Sequence, residues 1–216
     1  MKKKIAITGG IGSGKSTVCK WLSERGYSVF SCDKIYGELI YEPSYISEIE
    51  NAFPTVVIHN QIDKTRLASI IFSSETAREK LNNIAHPLIM ERLHNLMDTV
   101  SEDLVFAEVP LLFERGYEQN FDTIIVVMRN IEQRIQAISA RDNIIVSQAM
   151  AKIQTQYDYE KDEKQVLKNT NVHILDNNDD MYSLKNQLLK ELVAKYYLYL
   201  KIFDAQQMFL HFFLKL

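Results

Sequence analysis

The chain has 216 residues, of which 46% are hydrophobic and 25% charged, and its formal net charge is −3. That length supports one sizeable core and leaves little room for the partner modules of a motor. The slight acidity argues against wrapping a nucleic-acid backbone, which calls for a basic face.

The first element in chain order is a short β-branched run, Lys4 to Thr8, which ends in glycines and reads as a buried strand. The basic residues before it resemble the start of a signal peptide, but the apolar run is far too short. Lys15 to Arg25 reads as a helix with Val18, Trp21 and Leu22 facing inward and Gly26 as its stop. Tyr27 to Ser31 is a second strand, after which Asp33 opens another helical pattern. Strand, loop, helix and strand within about thirty residues make a βαβ unit, so a parallel sheet with a right-handed crossover is expected.

The stretch 34–102 reads as mostly helical, with helices at 34–41, 44–51, 64–72 and 74–84. Val56-Val57 and the turn "HNQID" interrupt it. Pro87 fits the first turn of a separate longer helix reaching Ser101. Strands follow at Leu104 to Val109, Thr123 to Met128 and Val172 to Leu175. Between and beyond them come a helix at Ile131 to Arg141, a helix capped by Ser147 that runs past Gln156, and a last helix from Tyr182. The alternation predicts one α/β domain over 1–216. Its core is about 1–33 and 103–200, with a helical insertion at about 34–102. No stretch of 18 uncharged apolar residues exists, so no membrane span is expected. Cys19 and Cys32 make no disulfide framework, and a reducing cytosol is the simpler reading.

The chemistry begins at "GGIGSGKST", made of Gly9, Gly10, Ile11, Gly12, Ser13, Gly14, Lys15, Ser16 and Thr17. It fits GxxxxGK[ST] without a mismatch, after a strand and at the opening of a helix. Glycines allow backbone angles that turn amide N–H groups around phosphate oxygens, and the helix aims its positive end at the same anion. Lys15 then reaches the β- and γ-phosphates of ATP and the Ser16 hydroxyl reaches Mg²⁺. A GTPase would carry an Asn-Lys-x-Asp base reader after a later strand, whereas the fourth strand here ends "VVMRNIEQR". A small-molecule kinase is favoured.

The acceptor must be read elsewhere. Asp33 follows the second strand, at the sheet edge where ligands bind in such folds. There it either takes a proton from an attacking hydroxyl or caps the helix that follows. His86 in "AHPLI" either meets substrate or satisfies a local backbone group. Glu108 ends an apolar strand in the place of a Walker-B acid that reaches Mg²⁺. Pro110, Leu111, Leu112 and Phe113 after it either line an apolar substrate wall or belong to the core.

Taken together, "ITGGIGSGKST", "CDKIYGEL", "QIDKTRLASIIF", "AHPLI", "EVPLLFE", "FDTIIVV" and "ARD" resemble the dephospho-coenzyme A kinase family over about residues 3 to 195. The resemblance implies transfer of the ATP γ-phosphoryl group, with Mg²⁺, to the ribose 3′-hydroxyl of dephospho-CoA. It implies a P-loop three-layer α/β sandwich with a five-stranded parallel sheet, a helical substrate-binding insertion and a lid at about 141–165. It further implies a cytoplasmic enzyme, monomeric or a small homo-oligomer. Asp33 matches the family's acid proposed as general base, and Arg141 matches a lid arginine that approaches the transferring phosphoryl. The chain departs from the family pattern at Ser31, which stands where an acid is usual. Gly37, Lys64 and Ala137 stand where arginine is common. Another nucleoside or nucleotide kinase, or a nucleotide-binding protein that has lost transfer activity, is the alternative.

Overall fold

The computed structural model describes residues 2–157, 159, 161 and 171–196. Most of the expected lid beyond Tyr157 and the aromatic tail beyond Lys195 lie outside the described residues, apart from Tyr159, Lys161 and Tyr196.

Five strands form a wholly parallel sheet: β1 (Lys3–Thr8), β2 (Ser28–Ser31), β5 (Leu104–Glu108), β6 (Thr123–Met128) and β7 (Val172–Asp176). Their order is β2-β5-β1-β6-β7. The strands are nearly continuous apolar runs because both faces are covered, as a parallel sheet requires. On one face Ile5, Ile7, Leu104, Phe106, Ile125 and Val127 pack against α1 (Lys15–Glu24) and α8 (Met181–Tyr196). On the other face Ala6, Val105, Ala107, Ile124 and Val126 meet the helices between β2 and β5. These are α2 (Cys32–Leu39), α3 (Pro43–Ala52), α4 (Lys64–Ser73) and α5 (Glu75–Thr99). The result is a three-layer α/β sandwich, as expected. Trp21 is buried, and the Arg25 guanidinium lies 3.8 Å above its ring. Gly26 ends α1 in the left-handed region at φ 80°. Cys19 and Cys32 are both buried and both free.

Two expectations are corrected, and one turn is sharpened into a hairpin. Pro87 does not start a helix: residues 75–99 form one helix through it. Proline removes one hydrogen bond and costs about 3 kcal/mol in a helix interior. Here the apolar stripe Leu81, Ala85, Ile89, Met90, Leu93 and Met97 continues across it. Burial of that stripe outweighs the local cost, and Pro87 itself faces solvent. The "HNQID" turn lies within a two-stranded antiparallel ribbon, β3 (Val57–Ile58) and β4 (Gln61–Ile62). His59 and Asn60 take φ 50° and 60° at its tip, the pattern of a type I′ hairpin. Finally, Ser147 is not a cap. Helix α7 (Val146–Gln154) begins one residue earlier, and the Gln148 side chain receives the Ile145 N–H at 3.3 Å.

Candidate active site

Strand β1 ends at Thr8, and the chain loops through 9–14 into α1, whose N-cap is Gly14 at φ 103°. Gly9 takes φ 137°, and a methyl group there would lie 2.2 Å from the Val127 carbonyl oxygen. Both facts demand glycine. Gly9→Ala should lower stability by at least about 1–3 kcal/mol from backbone strain alone. Urea denaturation reads this directly, and an unshifted midpoint would contradict the tight fit.

Inside the loop, the Lys15 ammonium donates to the Gly9 carbonyl at 2.7 Å and the Gly10 carbonyl at 3.0 Å. Burial lowers its pKa, while the charges of Glu108 and Asp33 raise it and that of Arg134 lowers it further. The Ser13 hydroxyl is buried and has no hydrogen-bond partner among the described residues. An unsatisfied buried hydroxyl within a glycine loop is what a phosphate oxygen would complete.

The C-terminal ends of three adjacent strands bring the remaining groups together. Glu108 ends β5 in register with Ile7 on one side and Ser31 on the other. Its carboxylate accepts the Ser16 hydroxyl at 2.9 Å. Asp33 is exposed in the first turn of α2, whose N-cap is Ser31. Asp33 is thus not the capping residue. The other loop-facing contacts come from residues that the motifs did not name. Arg134, in α6 (Ile131–Asp142), donates from Nε to the Ile11 carbonyl at 2.9 Å. Its guanidinium also covers Gly10. Asn177 donates to the Ser13 carbonyl at 2.7 Å. The Gln156 amide oxygen accepts the Ile11 N–H at 2.6 Å. The Tyr159 hydroxyl lies 3.0 Å from that of Thr8. None of these four sits in a motif with fixed spacing. The only local hint was the excess of polar residues after the fourth and fifth strands.

Other expected residues lie further out. Arg141 is exposed at the end of α6 and holds Asp142 through two contacts of 2.7 and 3.2 Å. Lys152 shares that carboxylate at 2.7 Å. The arginine that touches the phosphate loop is Arg134, about 10 Å earlier along the helix. His86 stacks on Tyr117 with ring centroids 6.3 Å apart. Burial beside Arg115 lowers its pKa, so the ring is neutral around neutral pH. After β5, Leu112 is wholly buried in the core, while Pro110, Leu111 and Phe113 stay partly exposed. Phe113 stacks on Tyr157 at 5.9 Å.

Comparison with known proteins identifies the family. The family model described as dephospho-CoA kinase matches residues 3–182. The dephospho-CoA kinase of Fusobacterium nucleatum is 37% identical over 142 residues, covering 65% of this chain and 74% of the relative. That of Deinococcus radiodurans is 32% identical over 189 residues, covering 86% and 89%. Among solved structures, the dephospho-CoA kinase of Campylobacter jejuni superposes with a TM-score of 0.63 at 25% identity, covering 90% of this chain and 98% of that one. The shikimate kinase of Acinetobacter baumannii, at 14% identity and a TM-score of 0.52, shares the fold.

Proposed function

Since this chain belongs to the dephospho-CoA kinase family, we propose that it moves the γ-phosphoryl group of ATP to the ribose 3′-hydroxyl of dephospho-CoA, with Asp33 receiving the hydroxyl proton. The observation that carries the assignment of roles is the placement of Asp33, just after β2, and of the Ser16–Glu108 pair at neighbouring strand ends beside the phosphate loop. Loop amides and Lys15 hold the triphosphate. Asp33, exposed beside that loop, accepts the proton as the acceptor oxygen attacks.

Mg²⁺ fits the donor set. Ser16 and Glu108 offer two adjacent oxygens. Magnesium binds through one or two protein oxygens, substrate phosphates and retained waters rather than a full protein cage. When bound, it neutralises charge on the phosphate oxygens. Ser16 and Glu108 are the residues that would hold it.

For the acceptor, we assign the helical layer at about 34–102 and the surface formed by Leu111, Phe113 and His86 to the pantetheine arm. Leu112 supports that surface from the core. Arg141 is assigned to the transferring phosphoryl once it leaves Asp142, with the segment at about 141–165 acting as the lid that excludes water. We place the enzyme in the cytoplasm, in keeping with two buried free thiols, and acting without nucleic acid or membrane. No described helix is long and apolar enough to cross one.

An assay with ATP and a panel of acceptors tests the reading. Dephospho-CoA should gain the mass of one phosphoryl group. Phosphorylation of AMP or a nucleoside with dephospho-CoA inert would remove the assignment.

A further inference from the structure

One residue of the phosphate loop, Ile11, is held at both its N–H and its C=O by the helical hairpin that follows β6. The Gln156 amide oxygen, just past α7, accepts the Ile11 N–H, and Arg134 Nε on α6 donates to the Ile11 C=O. The Ile11 side chain packs against Ile138, Ala149 and Ile153, the small apolar cluster between the two helices. Gly12 continues the contact, since a methyl group there would meet the Arg134 carbonyl at 2.9 Å and Ile138 at 3.1 Å. The segment carrying Gln156 is itself anchored by Tyr159, which is buried and reaches Thr8. A backbone N–H needs an acceptor, so the Gln156 oxygen must face Ile11 and a side chain of similar length without an acceptor cannot replace it.

We propose that Gln156 and Arg134 are positioning residues for the nucleotide: by gripping the two peptide groups that flank Ile11 they hold the phosphate loop in its binding shape, so hairpin and loop bind ATP as one unit. This rests on the kinase reading given above, but not on the identity of the acceptor. Untethered, the peptide groups on either side of Ile11 can rotate, and the ordering of the loop must then be supplied by the ligand, which weakens binding. Each tether is one hydrogen bond, so its loss should cost about three- to tenfold in ATP affinity.

The test is calorimetric titration of ATP into the full-length protein without any acceptor. Gln156→Met and Arg134→Met should each weaken ATP by that factor with the thermal midpoint of the free protein little changed. The Ile11 amide should exchange faster in Gln156→Met, a change that a general packing role would not produce. Because both side chains act on the two peptide groups of one residue, the double variant should lose less than the product of the single losses. ATP affinity of Gln156→Met within twofold of the parent would overturn the proposal. Should Gln156→Met fail to fold, unchanged ATP affinity in Arg134→Met overturns it equally. Normal ATP binding by the parent protein with dephospho-CoA left unphosphorylated would count instead against the proposed function.

Discussion

Lys15→Ala should lower kcat/KM for ATP by about a hundred- to a thousandfold, the scale for losing one preorganised donor aimed at developing charge. In the structure this ammonium is already desolvated and held over the loop by the Gly9 and Gly10 carbonyls. The charges of Glu108 and Asp33 favour its protonated form, while burial and the charge of Arg134 oppose it. A triphosphate arriving there meets a charge that needs little reorganisation. Lys15→Arg should not restore the rate, because a planar fork does not reproduce a compact point charge inside a closed loop. Steady-state kinetics with circular dichroism as a folding control reads this, and ATP turnover at the parent rate in Lys15→Ala would remove the phosphate-loop assignment.

Asp33→Asn should lower kcat by about a hundred- to ten-thousandfold with KM for ATP little changed, the range for a general base. Asparagine keeps the shape of the side chain and removes its basicity. The alternative role near a helix start makes a different prediction. A carboxylate in the first turn stabilises a helix by about 0.3–1 kcal/mol, so its loss would lower the thermal midpoint slightly and leave kcat alone. Ser31 occupies the N-cap position of α2, which already weakens that alternative. A parent-like kcat in Asp33→Asn would return the residue to a purely helical role.

Much of the scaffold was legible because its signals are local. The β-branched runs, the glycine stops and the 3.6-residue patterns gave β1, α1 and β6 nearly to the residue. The phosphate loop was legible because its spacing is its mechanism. The misreadings share a cause. Pro87 is a strong local breaker, and only the apolar stripe extending on both sides of it, buried by tertiary packing, shows why the helix continues. Arg134, Gln156 and Asn177 were invisible for the same reason. Each reaches the loop across more than a hundred residues of sequence, and no spacing rule encodes such a contact. Arg141 was found by resemblance, and the structure gives it a carboxylate partner on its own helix end.

The two cysteines acquire a meaning beside this acceptor. Burial and the nearby acids push the thiols of Cys19 and Cys32 up to about 12. Mixed disulfides form by attack of a thiolate, and here almost none exists at neutral pH. Dephospho-CoA ends in a thiol of its own, and Cys32 adjoins the proposed base. With Cys32 covered and protonated, a disulfide form of such an acceptor would meet almost no thiolate to attack it.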